Sequence, residues 1–225
     1  MDRTKTRRIA MVWPILGVCL MISAAGQPGK EEHAAPASGR TALILRKMPP
    51  EAAAYQTAAA ELVQAGVPEK YGIEEWTAVV LTNEIHQHVG IYNMLGAKMA
   101  CARGELLDAP TRAVDVTAET GKAPPISCLV DGLQAALGST LGQNLIHVPP
   151  TDAPKAAATF AYKGWTVRLS LKPETQRQVA EMIGRAVHEC GNLTPAYFAR
   201  IEKLSYKVWA EADRHEIFAE EWVQK

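Results

Sequence analysis

"ATFAYKGWTVRLSL", residues 158–171, decides the fold class. β-Branched and aromatic residues flank Lys163-Gly164, a pair suited to a tight turn, so the stretch predicts two strands joined as a hairpin. Upstream, "TRAVDVTAE" (111–119) alternates well enough for a strand, and "STLGQNLIHV" (139–148) reads as a turn followed by a short extended piece. Between them, "ISCLVDGLQAALG" (126–138) sets Leu129, Leu133 and Leu137 along one side of a helix. Ile91, Leu95, Met99 and Ala102 fall four, four and three apart, a helix face expected to be buried. Downstream, "PETQRQVAEMIGRAVHE" (173–189) spaces Val179, Ile183 and Val187 for a core-facing stripe that Gly191 is placed to stop. Thr194-Pro195 restarts a helix with a capping hydroxyl and a proline at the first helical position, and Tyr197, Ile201, Leu204 and Val208 form its apolar row. "HEIFAEEWVQK" (215–225) continues as helix or returns as an edge strand. Strands and helices in mixed order predict an α+β fold, a mixed or antiparallel sheet packed against helices.

The first third holds one further helix, "PPEAAAYQTAAAELVQAG" (49–66), opened by Pro50 and closed by Gly66. "TALILR" (41–46) is a short strand or extended lead-in, and "EEWTAVVLTNEI" (74–85) carries β-branched residues, as a strand would, into the next helix. Ahead of these, "MDRTKTRR" is basic and "IAMVWPILGVCLMISAAG" is apolar and ends in small residues. That is the layout of a secretory signal peptide over 1–26, with a retained anchor as the alternative. "QPGKEEHAAPASGR" (27–40) has linker composition, which leaves 41–225 as a single domain with a helical C-terminal extension. The expected location is periplasmic or secreted, with no stable membrane span once the signal is cleaved.

Composition narrows the partners. Lys+Arg and Asp+Glu number 24 each in 225 residues, and that balance argues against nucleic acid. Cys101, Cys128 and Cys190 remain after signal removal, enough for one bridge with one thiol over. No CxxC, CxxCH, GxSxG, HExxH or phosphate-loop glycine spacing occurs.

The chemistry-bearing stretch is "NEIHQHVGIYNMLG" (83–96). On an extended segment His86 and His88 share one face; if a helix has begun by Ile85 they diverge, and Asn83 then caps that helix. Two imidazoles need a further donor to hold a metal. Cys128, in the first turn of its helix where the backbone amides favour a thiolate, is that candidate. Asp131, three residues on, lies close to the same face and can ligate, hold a ligand histidine's second nitrogen, or act as a base. Glu84 is a candidate acid or base beside a metal-bound water, with a solvent-facing carboxylate as the plainer alternative. His147 can add a ligand or line a pocket, and Tyr92, Tyr162 and Trp165 are candidate pocket aromatics. Met94 and Met99 are expected in the core, and His188 on the surface.

"EIHQHVGIYNMLGAKMA", "SCLVDGLQAALGSTLGQNLI" and "PKAAATFAYKGWTVRLSL", in that order, resemble the FmdE-like family, named for a component of formylmethanofuran dehydrogenase, across roughly residues 76–172. The resemblance implies an α+β domain, often a homodimer, with a transition metal, commonly zinc, near the His-x-His segment. His86 and His88 then carry over as ligands, Cys128 as the motif cysteine and Asp131 as its acidic companion. Thr140, Gly142 and Asn144 carry over as the turn that closes the pocket, and Lys155 as the lysine before the hairpin. Tyr92, Thr140, Asn144 and Lys155 are accordingly the expected contacts to a bound small ligand. Two family cysteines are replaced, one by the segment around Gly90 and one by Ser139. Three functions stay open: a metal-binding domain whose open coordination position holds a small ligand, a metal-dependent hydrolase or lyase with Glu84 or Asp131 handling the proton, and a haem or porphyrin binder.

Overall fold

The computed structural model describes Met48 and residues 51–224, all within one compact unit. The expected signal peptide, linker and 41–46 strand lie outside the described residues, as does Pro50. Helices α1 (Thr57–Gln64), α2 (Val67–Tyr71), α3 (Ile73–His86) and α4 (Ile91–Leu107) come first. Strand β1 (Asp115–Ala118), helix α5 (Leu129–Leu137), and strands β2 (Ile146–His147), β3 (Ala157–Tyr162) and β4 (Trp165–Leu171) follow. Helices α6 (Pro173–Cys190), α7 (Pro195–Glu211) and α8 (Arg214–Ile217) lead into strand β5 (Phe218–Gln224).

The sheet order is β2-β1-β3-β4-β5, with β1 and β2 parallel and every other pair antiparallel. It is therefore mixed, within the expected class. The hairpin closes through Lys163 (φ 47°) and Gly164 (φ 86°), two left-handed residues whose twist matches that of the strands and which set Tyr162 opposite Trp165. The register lines up Ile146, Val116, Phe160, Val167 and Trp222 across all five strands, and the first four of these are buried. Helix α4 packs against both the sheet and α5, with Met94, Leu95 and Met99 fully buried. The chain ends as an edge strand, so the C-terminal third is not wholly helical.

Two expectations fail. The helix expected from residue 50 to Gly66 is broken: a 3-10 turn spans Ala52–Ala54, and Tyr55 is extended before α1 begins. The Tyr55 hydroxyl accepts a hydrogen bond from Trp76 Nε1 at 2.9 Å, and the two rings meet edge-on at 5.2 Å, so tertiary contact overrides the alanine run. "EEWTAVVLTNEI" is helix α3, not strand. Its Trp76, Thr77, Ala78, Val79, Val80 and Thr82 are buried around the helix, and Thr77 and Thr82 donate their hydroxyls to the carbonyls four residues back. A helix covered on so many sides lacks the one-sided pattern that would have revealed it.

Glu119, just beyond β1, accepts hydrogen bonds from Arg168 Nε at 2.5 Å and Nη2 at 2.9 Å. The guanidinium holds the Glu119 carboxyl below its ordinary 4.5. A carboxyl with a depressed folded pKa stabilises fully above 4.5 and loses that contribution as pH falls through the folded value. Arg168→Met is therefore expected to cost about 1 kcal/mol near neutrality, a partly exposed bidentate pair being worth about that much. Urea midpoints of wild type and variant should converge in acid; a gap that persists there would exclude the ion pair as its source.

Candidate metal centre

Helix α3 runs through His86 and stops because Gln87 takes a left-handed conformation (φ 63°), its N–H donating to Asn83 O. The two histidines therefore straddle a helix C-terminus and are not presented on a strand. Their rings still face each other, with centroids 4.3 Å apart. Gly90 caps α4, and Asn83 does not cap it as expected, being inside α3 with its Nδ2 bonded to Val79 O. Asn83 instead braces the turn: Asn93, fully buried in α4, donates Nδ2 to Asn83 Oδ1 at 3.2 Å and lies 3.4 Å from His88 O.

Helix α5 brings in the sulfur. A 3-10 turn, Ile126–Cys128, feeds it, with Cys128 at the N-cap and Asp131 in the first turn. The α4–α5 crossing is a backbone contact: a Cβ on Gly132 would stand 1.9 Å from Asn93 O, and one on Gly96 would stand 2.0 Å from Leu129 O. Only glycine at both positions lets α5 lie close enough to set Cys128 and Asp131 beside the end of α3.

The outcome is a convergence of donors. One ligand atom each from His86, Cys128 and Asp131 falls within 4.8 Å of the other two. His86 Nδ1 is 3.4 Å from Asp131 Oδ2, while His86 Nε2 is buried with no hydrogen-bond partner. A buried imidazole nitrogen left without a partner is costly, and a metal ion is one group that would satisfy it. Nitrogen, sulfur and carboxylate oxygen are the donor types that a borderline divalent transition metal takes. The residues present fit such an ion.

Burial, then the neighbouring His88, pushes the His86 pKa down, against the opposing pull of Asp131, a shift that favours the neutral ring a metal ligand needs. Cys128 departs from expectation. Burial and then Asp131 push its thiol up, outweighing its own backbone hydrogen bond, so the helix terminus alone does not make a thiolate here. A bound cation would reverse that balance.

Beside His86 and Cys128 lies a cavity of about 110 Å³, which Asp131 does not line, with an apolar wall built chiefly from Ile91 and Tyr92 of α4, Ile183 of α6, and Tyr197, Phe198 and Ile201 of α7. His88 lines it too, its ring edge-on to Phe198 at 5.7 Å, but His88 is outside the three-donor cluster. Tyr92, one of the expected ligand contacts, lines the cavity, and burial raises its pKa. Glu84 is exposed and lines a separate cleft beside Gln87 and Tyr206. Thr140, Gly142 and Asn144 follow the other end of α5 from Cys128, and Lys155 is exposed just ahead of β3; none of the four lines the cavity. His147 pairs with Asp115 on the sheet, Nε2 to Oδ2 3.4 Å. Trp165 and Tyr162 stay on the hairpin, Trp165 edge-on to Trp222, while His188 is exposed. Cys101, Cys128 and Cys190 form no disulfide with one another.

The α6–α7 wall was missed because Ile183, Tyr197 and Ile201 read as ordinary core positions. A second omission is a buried ionic network: Glu75 bonds Lys98 at 2.5 Å and Arg214 at 3.0 Å, and Arg214 bonds Glu105 at 2.6 Å.

Residues 85–215 match the family described as "FmdE, Molybdenum formylmethanofuran dehydrogenase operon", more than half of the 225-residue chain. The chain belongs to the FmdE family. The crystal structure of a tungsten formylmethanofuran dehydrogenase FmdE-like protein from Syntrophus aciditrophicus is similar to this FmdE-family chain at 18% identity and a TM-score of 0.46, covering 67% of this chain and 72% of that one. No match is found among curated proteins. Among the described residues, no helix of this FmdE protein is long and apolar enough to cross a membrane.

Proposed function

We propose that this chain is an exported FmdE-family protein that holds one divalent transition metal ion, zinc by its donor set, between His86 and Cys128. Asp131 serves as a third ligand or as the carboxylate that orients His86, and one coordination position faces the cavity for a small ligand. The observation that carries this reading is the convergence of His86, Cys128 and Asp131 within 4.8 Å. His88, next to His86 and on the cavity wall, would join the ligand set when an ion enters.

A bound zinc ion would supply Lewis acidity and a cation against which Cys128 can lose its proton. The protein's own part is to present a neutral His86 imidazole, to hold it through Asp131, and to keep water sparse around the donors with apolar side chains. Ligand binding is better supported than turnover with Glu84 as the base, since Glu84 lies outside the cavity. A cavity of about 110 Å³ suits a ligand of a few heavy atoms better than a porphyrin, since even drug-sized pockets begin at about 300 Å³.

Zinc titration of the metal-stripped protein against a competing chelator tests this reading. One zinc per chain is expected, with His86→Ala abolishing tight binding and Asp131→Asn weakening it about 10–100-fold, as loss of an orienting carboxylate does. Glu84→Gln should leave affinity unchanged. Equal affinity in wild type and His86→Ala would overturn the site.

A further inference from the structure

We infer that the small ligand of this cavity is a short-chain monothiol, whose sulfur takes the open position and whose hydrocarbon tail lies against the α6–α7 wall. The inference rests on the metal-site reading above and adds what the rest of the cavity selects.

Three observations combine. The wall facing the donors is hydrocarbon from Ile91, Ile183, Leu193, Phe198 and Ile201, and the lining contains no lysine, arginine, asparagine or glutamine. Its polar groups, apart from backbone, are the two imidazoles, the Cys128 thiol and the hydroxyls of Tyr92 and Tyr197. A carboxylate head would bring two charged oxygens, with only the tyrosine hydroxyls and the His88 ring to donate to the one that the metal leaves free, whereas a thiol has one polar atom, which the metal itself satisfies. Size sets the second limit: a volume of about 110 Å³ is below the roughly 150 Å³ of a dry cavity that takes benzene, which leaves room for about three to five carbons. The third observation is that the wall reaches solvent. Leu193 and Phe198 are 65% and 41% exposed, so the mouth of the cavity presents apolar side chains to anything that enters.

His86 and Cys128 would hold the ion, and the ion would supply the Lewis acidity against which an entering thiol gives its proton to solvent as its sulfur becomes a ligand in place of water; nothing would be oxidised or reduced.

Calorimetric titration of the zinc-loaded full chain with ethanethiol, propanethiol and butanethiol, and with carboxylates of matching length, tests the inference. Thiol affinity should rise about four-fold per added methylene until the cavity is full, the value of burying one CH₂, and each carboxylate should bind more weakly than its thiol. Leu193→Ser, at a position 65% exposed, should flatten the chain-length series while the variant keeps one zinc per chain. Thiol affinities that do not change with chain length, or carboxylates that bind as well as thiols, would overturn the inference and leave the metal site standing. A chain that takes up no zinc would overturn the metal site itself, and this inference with it.

Discussion

Glu75→Ala is expected to destabilise the protein by about 3–5 kcal/mol, the cost of breaking a buried ion pair from one side. Glu75 is 1% exposed and its partner Lys98 is fully buried in α4, with the ammonium also 4.1 Å over the Tyr71 ring. Burial already pushes the Lys98 pKa below its ordinary 10.5, and Glu75 is the largest influence holding it up. Without Glu75 the desolvation of Lys98 stands uncompensated, and Arg214 keeps only Glu105 and the Tyr71 carbonyl. The sign of the pH dependence follows. A lysine whose folded pKa is depressed binds fewer protons folded than unfolded, so the variant should regain stability as pH rises from the depressed value toward 10.5. Replacing both partners, Glu75→Met with Lys98→Met, should recover most of the loss, because an apolar pair of similar volume leaves no charge behind. Urea denaturation measures all three proteins; a loss below about 1 kcal/mol in the single variant would show that water reaches Lys98.

Gly132→Ala is expected to cost about 2 kcal/mol and to weaken zinc binding at least ten-fold. The added methyl would stand 1.9 Å from Asn93 O and 2.5 Å from Ala97 N, so α5 must back away from α4. Overpacking of this kind costs about 1–3 kcal/mol, and the neighbours here are backbone that cannot rotate aside. Alanine's better helix propensity returns about 1 kcal/mol of that at most. The move also carries Cys128 and Asp131 away from His86, which ties this substitution to metal binding as well as to stability. Thermal denaturation and zinc competition on the same preparation check both effects. A destabilised variant with unaltered zinc affinity would mean that the crossing does not set the donor spacing.

Much of this arrangement was legible because it is local. Leu129, Leu133 and Leu137 fall on one buried side of α5, the hairpin turns at Lys163-Gly164, and Thr194 Oγ1 caps α7 by accepting from Tyr197 N. The three-residue spacing of Cys128 and Asp131 placed both beside one partner, and His86 is that partner. What was illegible depends on contacts distant in sequence. Helix α3 hid behind Thr77, Val79 and Val80, β-branched residues that its burial on several faces makes acceptable. The left-handed Gln87 that separates the histidines had no glycine or asparagine to announce it. Thr140, Asn144 and Lys155, expected as ligand contacts, do not line the cavity. The Glu75–Arg214 contact spans 139 residues and had no periodic signature at all.

The most direct test of shared coordination is cobalt substitution. Absorption spectra of the cobalt-loaded wild type should show a thiolate-to-metal charge-transfer band with tetrahedral d–d intensity. In Cys128→Ser the charge-transfer band should vanish, and in His86→Ala the cobalt should be lost. A wild-type spectrum without sulfur ligation, or one that Cys128→Ser leaves unaltered, would contradict a metal held between α3 and α5.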